Sequence, residues 1–138
     1  MMRIFLDANV LVSVLNREYP HFDSCARCLS LSSDSRITLY ASSLSLGIAF
    51  YFSEKKSGRI EARRKISVLM EHIQVSPCGQ EEVRIALQNQ KADDFEDALQ
   101  NSSAVSASCT HILTNNPADY HFSEIPVKRP EEFLRSLY

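Results

Sequence analysis

The sequence predicts an α/β fold in which a central, mostly parallel β-sheet is flanked by helices on both faces. Short apolar segments alternate along the chain with longer segments whose apolar residues recur at helical spacing. Buried parallel strands joined by helices give this alternation. The chain has 138 residues, of which 44% are hydrophobic, enough for a single domain over 1–138 with its own core.

The first strand is predicted at residues 3–6, a short apolar run that ends at Asp7. Apolar side chains at helical spacing predict a helix over 8–17, and a second helix follows at about 21–32. Another short run predicts a strand at 36–41. These elements make up a strand–helix–helix–strand unit.

A third helix is predicted to begin after the serine caps Ser42 and Ser43 and to run through the apolar stretch 44–52. Gly58 breaks the chain, and an amphipathic basic helix follows at 60–73. The remaining elements are a strand at 74–78, helices at about 80–90 and 94–108, strands at 111–114 and 126–127, and a helix begun by Pro130.

Polar residues directly follow two of the predicted strands. Asp7 follows the first strand, and Asn115 and Asn116 follow the strand at 111–114. In open α/β sheets, ligands bind at the carboxyl ends of the strands. Asp7 is read equally well as a helix N-cap, so its position alone leaves both roles open.

Four acids occur within the five residues 93–97. Asp94 and Asp97 are three residues apart and therefore share a helical face. A helix dipole favours one or two acids in a first turn, but it accounts poorly for four that repel one another. A hard divalent cation with oxygen ligands, Mg²⁺ or Mn²⁺, would relieve the repulsion.

These motifs resemble those of the PIN domain family, including its VapC-like members. Phe5-Leu6-Asp7-Ala8-Asn9-Val10-Leu11 resembles the family's opening motif, and the run from Asp93 to Gln100 resembles its third acidic motif. The run from Ile112 to Tyr120 resembles the fourth motif, and Pro126 to Leu134 resembles the C-terminal ending of one subfamily. The ordered set covers nearly the whole chain.

The resemblance implies a three-layer PIN-like fold and a metal-dependent endoribonuclease, in bacteria often the toxin of a toxin–antitoxin pair. It implies Mg²⁺ or Mn²⁺ as cofactor, RNA as substrate and an antitoxin protein as partner; a homodimer is an open alternative that the resemblance does not decide. Asp7, Asp94 and Asp97 would be catalytic, with Asp7 and Asp97 as metal ligands. The supporting residues would be Glu96, Asn9 orienting Asp7 by a hydrogen bond, and Thr114 and Asn116 on the rim.

Two departures from the family pattern weaken this site. The family places a Glu on the third helix, where Gly47 stands in this sequence. The next acid, Glu54, is roughly 10 Å further along a helix. Asn116 also stands where many relatives have Asp. A degenerate PIN module that binds RNA or a protein partner without cleavage is therefore the alternative function.

A receiver-like phospho-accepting domain is a third alternative, but it needs an acceptor Asp near mid-chain that the sequence lacks. The net charge of −2 means that the whole chain does not attract nucleic acid. The basic side chains at 55–65 are read as a solvated helix face in preference to an RNA-binding patch. The sequence shows no signal peptide or transmembrane stretch, which predicts a cytoplasmic protein.

The CxxC pair Cys25 and Cys28 is read as buried reduced thiols, because no second pair of ligands completes a zinc set. Aromatic residues near the third helix are expected in the core or at a contact between two copies.

Overall fold

A computed structural model describes all residues, 1–138. Its five strands are β1 (Met2–Leu6), β2 (Ile37–Ser42), β3 (Ile73–Ser76), β4 (His111–Leu113) and β5 (Val127–Lys128). They form one sheet in the order β3-β2-β1-β4-β5, and every neighbouring pair is parallel. The prediction of a mostly parallel sheet is confirmed.

Seven helices connect and cover the strands. They are α1 (Ala8–Leu15), α2 (Phe22–Ser30), α3 (Ser43–Ser57), α4 (Arg59–Leu69), α5 (Gln80–Gln88), α6 (Phe95–Ser106) and α7 (Pro130–Ser136). Short 3₁₀ turns occur at Leu31–Ser33 and Pro117–Tyr120. Gly58 adopts φ 85°, a left-handed conformation that ends α3 and starts α4.

The sheet separates two layers of helices. Ile4 and Leu6 of β1 pack into a core shared with α1, α2, α3, α4 and α7. Phe5, on the opposite face of the same strand, packs with Ala104 of α6 and with Tyr120. Successive side chains of a strand point to opposite faces, so three apolar residues in a row predict a strand buried on both sides. No helix of the structure is long and apolar enough to cross a membrane.

The strand order creates one topological switch point. From β1 the chain moves to β2 and β3 on one side, and β4 and β5 lie on the other side. The crevice between the carboxyl ends of β1 and β4 is therefore where such a sheet offers a binding site. Leu6 pairs with Leu113 at that edge, which places Asp7 and Thr114 next to each other.

Candidate metal centre

Asp7 is held in place at the end of β1 by both main-chain and side-chain hydrogen bonds. Its backbone N–H donates to the Leu113 carbonyl over 3.0 Å. Its Oδ1 accepts from the Ala8 N–H at 2.8 Å, and its Oδ2 accepts from the Thr114 hydroxyl at 2.8 Å. Asp7 is thus the N-cap of α1 and also faces the switch point. The two roles considered from sequence coexist.

Asn9 does not bond Asp7 directly, contrary to the expectation from the family resemblance. Its side-chain amide donates to the Thr114 hydroxyl oxygen at 3.2 Å, and its Oδ1 accepts from the Asn115 backbone N–H at 3.1 Å. Both polar groups of the Asn9 side chain form hydrogen bonds at the end of β4, because the Asn115 N–H lies beyond the strand and needs an acceptor. Asn9 therefore supports Asp7 only through Thr114.

Helix α6 carries the acidic cluster and is anchored by a buried polar network. Gln100 accepts a hydrogen bond from Ser42 at 2.5 Å and donates one to Ser45 at 2.7 Å. All three residues are almost completely buried, so the network fixes α6 against the start of α3. Asp97 lies one helical turn before Gln100, and Asp94 is the N-cap of α6.

Most of the predicted site residues line one cleft with a volume of about 540 Å³. The acids are Asp7, Asp94, Glu96 and Asp97, joined by Asn9 and Asn116. Thr114 is fully buried behind Asp7 and acts through its hydrogen bond. The sequence motifs, far apart in the chain, are therefore brought together at the carboxyl ends of β1 and β4.

Asp119 is a further acid in this cleft that the sequence analysis did not assign. It lies in the 3₁₀ turn Pro117–Tyr120, whose first position is a proline. The turn keeps Asp119 close to the end of β4, and its charge raises the pKa of both Asp7 and Asp97. The sequence signal for this turn is Pro117 after two asparagines, because proline favours the first position of a helical turn.

The α3 residues that line the acidic cleft are Ile48 and Phe52, so the structure favours Ile48 over the predicted Gly47 as the position of the missing ligand. Gly47 is exposed and lines the adjoining groove, and a Cβ built there meets no atom within 4 Å. Adjacent residues are about 100° apart around a helix, so Ile48 lines both the cleft and the groove, while Gly47 lines only the groove.

Burial and neighbouring charges raise the pKa of three carboxylates in the cleft: Asp7, Glu96 and Asp97. Burial raises the pKa of Asp7, although hydrogen bonds from Thr114 and Ala8 oppose the rise. Burial and the charges of Asp94, Asp119, Asp7 and Glu96 raise the pKa of Asp97 to about 7. The pKa of Glu96 is raised by burial and by Asp94 and Asp7. The site therefore carries negative charge that only a cation or a proton relieves.

We expect Asp97 to make the metal-free protein less stable as the pH rises. Its pKa is 3.8 in the unfolded chain and about 7 when folded, so the folded state holds the proton between those values. Stability from this group is then present near pH 4 and is lost as the pH rises to about 7. Asp97→Asn should remove that loss and stabilise the protein at pH 8 by about 1–2 kcal/mol, after allowing for solvent screening.

Chemical denaturation at pH 5 and pH 8 in EDTA measures this effect. Glu71→Gln is the control, because the Glu71 side chain is exposed and does not line the cleft. Equal pH dependence in the natural chain and in Asp97→Asn would contradict the expectation.

The donors in the cleft fit a hard divalent cation. They are carboxylate and amide oxygens, which Mg²⁺ and Mn²⁺ prefer. No three His, Cys, Asp or Glu side chains come close enough together to enclose an ion by themselves. Mg²⁺ usually keeps several waters and takes only one or two carboxylates, so an open, acidic cleft suits a hydrated ion.

Three basic side chains on helices α3 and α4 make contacts within the protein. Lys65 donates to the Leu15 carbonyl at 2.9 Å, and Lys56 donates to the Asn16 carbonyl, both at the end of α1. Arg64 pairs with Glu61. Cations near the end of a helix stabilise its free carbonyls. These contacts favour a structural role over RNA binding for these three side chains.

All four cysteines are free, and Cys25 and Cys28 are buried, as expected. Burial raises the pKa of both thiols to about 12. They are therefore neutral at physiological pH and are poor metal ligands.

Comparison with known sequences identifies the protein family. The sequence profile of the PIN domain matches residues 3–118, and the chain belongs to the PIN domain family. A search of curated proteins gives no match to this sequence. The profile match confirms the resemblance seen in the ordered motifs.

Solved structures with the same fold include VapC proteins. A chain of VapBC2 from Rickettsia felis, solved bound to a DNA fragment from its promoter, has a TM-score of 0.73 at 18% identity, covering 93% of this chain and 98% of that one. VapC20 from Mycobacterium tuberculosis, a sarcin–ricin loop cleaving toxin, has a TM-score of 0.62 at 14% identity, covering 79% and 86%. The PAE2754 protein from Pyrobaculum aerophilum has a TM-score of 0.63 at 18% identity, covering 99% and 95%.

Proposed function

We propose that this chain is a Mg²⁺- or Mn²⁺-dependent endoribonuclease. The observation that carries the proposal is that six acidic residues line one cleft at the switch point: Asp7, Glu18, Asp94, Glu96, Asp97 and Asp119. Such a cluster is unfavourable in the absence of a cation, because burial and the charges of the neighbouring acids both raise the pKa of Asp97. Asp119 adds a carboxylate to the set inferred from sequence and so strengthens the case for cleavage.

The residues of the cleft would have different roles in such a reaction, some holding the ion and one transferring a proton. The ion would be held by Asp7 and Asp97. Hydrogen bonds from the Thr114 hydroxyl and the Ala8 N–H fix Asp7, and the anchored helix α6 fixes Asp97. A bound divalent ion supplies an activated water and neutralises charge at a phosphodiester. Glu96 has a raised pKa and lines the same cleft, which suits it to accept or donate a proton near the reacting phosphate.

Negatively charged RNA would be repelled by the cleft unless an ion is bound, since the acids and the phosphates carry the same charge. Activity should therefore require the metal for substrate binding as well as for chemistry. Protonation of Asp97 competes with metal binding, so cleavage should increase between pH 6 and pH 8, around its pKa of about 7.

The test is an RNA cleavage assay at pH 8 with Mn²⁺, with EDTA, and with Asp97→Asn protein purified in parallel. We expect cleavage by the natural chain with Mn²⁺ only, and its loss in Asp97→Asn. Cleavage of equal strength in the variant would indicate a contaminating ribonuclease. No cleavage by the natural chain across several RNAs and both metals would favour the non-cleaving alternative.

That alternative, a degenerate PIN module that binds RNA or a protein partner, is favoured by one observation. The α3 residues that line the cleft, Ile48 and Phe52, are both apolar, so α3 supplies no carboxylate to the site. Loss of one ligand lowers metal affinity, because fewer charges compensate for dehydration of the ion. Binding of RNA without turnover at saturating Mn²⁺ would support this function.

We further propose that the chain is the toxin of a toxin–antitoxin pair. The support is the shared fold with VapC20 and with the Rickettsia felis VapBC2 chain, at low sequence identity. Co-expression with the product of an adjacent small gene should restore growth that the toxin alone arrests. An antitoxin partner, a homodimer and a cytoplasmic location remain predictions.

A further inference from the structure

The hydroxyl of Tyr120 is a buried polar group that the proposed reaction does not yet use. Tyr120 is 2% exposed and lies at the end of the same 3₁₀ turn that carries Asp119. Its ring packs among apolar side chains between the sheet and α6, including Phe5 and Ala104. A phenylalanine would fill that apolar space equally well, so packing does not explain the hydroxyl.

The Tyr120 hydroxyl has no partner among the protein's groups at hydrogen-bonding geometry. The Asp7 carboxylate is the polar group beside it, and a weak contact between the two, short of good hydrogen-bond geometry, lowers the pKa of Asp7 and raises that of the Tyr120 hydroxyl. Leaving a buried hydroxyl without a partner costs stability, and native structures rarely tolerate this without a functional reason. The structure contains two further atoms of this kind, on Asn16 and Ser53. Only Tyr120 is next to the acidic site.

We infer that Tyr120 is a positioning residue for the metal site, whose hydroxyl donates a third hydrogen bond to the Asp7 carboxylate when a divalent ion is bound. This inference rests on the proposed metal dependence. The Asp7 oxygens already accept one bond each, from the Ala8 N–H and the Thr114 hydroxyl, and each oxygen can accept a second interaction. Tyr120 thus completes a set of donors that fixes the carboxylate in one orientation toward the ion.

The electrostatic surroundings keep Tyr120 a donor. Burial and the charges of Asp7 and Asp97 raise the pKa of its hydroxyl far above the ordinary value. The hydroxyl therefore keeps its proton at neutral pH and can donate it in a hydrogen bond. A hydrogen bond from a neutral hydroxyl to a carboxylate is stronger than one between neutral groups, so it is suited to stabilising an ionised, metal-bound Asp7.

The experiment compares Tyr120→Phe with the natural chain in two measurements. Without metal, thermal melting in EDTA should leave the melting temperature of the variant unchanged or raised by up to about 5 °C, because an unpaired hydroxyl has been removed. With Mn²⁺, titration calorimetry should give a dissociation constant weakened about threefold to tenfold, the worth of one hydrogen bond.

Tyr40→Phe is the matched control, since Tyr40 belongs to the same apolar cluster and is not among the residues that line the cleft. It should leave Mn²⁺ affinity unchanged. Equal Mn²⁺ affinity in Tyr120→Phe and the natural chain would overturn the role of Tyr120 while leaving the metal site intact. A natural chain that binds no Mn²⁺ would overturn both this inference and the proposed metal dependence.

Discussion

Replacing Asp7 with asparagine should abolish Mn²⁺ binding and reduce RNA cleavage by about 10²–10³-fold, the loss expected when a metal centre is disabled. The folded state should survive. Asparagine is as good an N-cap as aspartate, and its side-chain oxygen can still accept from the Ala8 N–H or the Thr114 hydroxyl. Removing a charge that burial disfavours should also make the metal-free variant slightly more stable.

The measurements are cleavage of a labelled RNA and calorimetric titration with Mn²⁺, accompanied by a thermal melt. Asp34→Asn is a suitable control, because Asp34 pairs with Arg36 in the turn before β2 and lies outside the acidic cleft. An Asp7→Asn protein that melts normally and still binds Mn²⁺ as tightly as the natural chain would contradict the assignment of Asp7 as a ligand.

Replacing Ile48 with glutamate should strengthen Mn²⁺ binding by at least about tenfold, because it adds a carboxylate on the α3 face that lines the cleft. In the absence of metal, the same change should destabilise the protein, since another anion joins a cluster that already raises the pKa of Asp97. The effect on the melting temperature should therefore reverse sign when Mn²⁺ is added.

Gly47→Glu, at the neighbouring position, is the matched control. Gly47 is exposed and has space for a side chain, so this substitution should fold and gain a few tenths to about 1 kcal/mol of helix stability. It should change Mn²⁺ affinity much less than Ile48→Glu. If Gly47→Glu produced the larger gain in affinity, Gly47 would occupy the ligand position after all.

The parts of the site that follow rigid strands could be predicted from sequence. The apolar run of β1 ends at Asp7 and that of β4 ends at Thr114, and the pairing of Leu6 with Leu113 brings these ends together. The acid cluster on α6 was similarly evident, since capping and helical spacing place Asp94 and Asp97. The strand and helix bounds predicted from the pattern differ from the observed ones by only a few residues.

The parts that depend on helical phase or on turn geometry could not be predicted. Apolar residues surround α3 on several sides, so its pattern does not show whether Gly47 or Ile48 faces the cleft. Asp119 lies in the cleft because the 3₁₀ turn that begins at Pro117 keeps it near the end of β4. Tyr120, in the same turn, is buried. Asn9 acts through Thr114 because of the acceptor that the end of β4 requires, a tertiary contact without a sequence signal.

Diffraction from crystals soaked in MnCl₂ at pH 8, recorded with the anomalous signal of manganese, tests the central claim most directly. We expect one anomalous peak in the acidic cleft, with Asp7 and Asp97 oxygens at about 2.0–2.3 Å from the ion and waters completing the shell. The peak should be absent from Asp97→Asn crystals treated identically. A cleft without manganese at millimolar concentration, or a peak bound by neither Asp7 nor Asp97, would contradict the account.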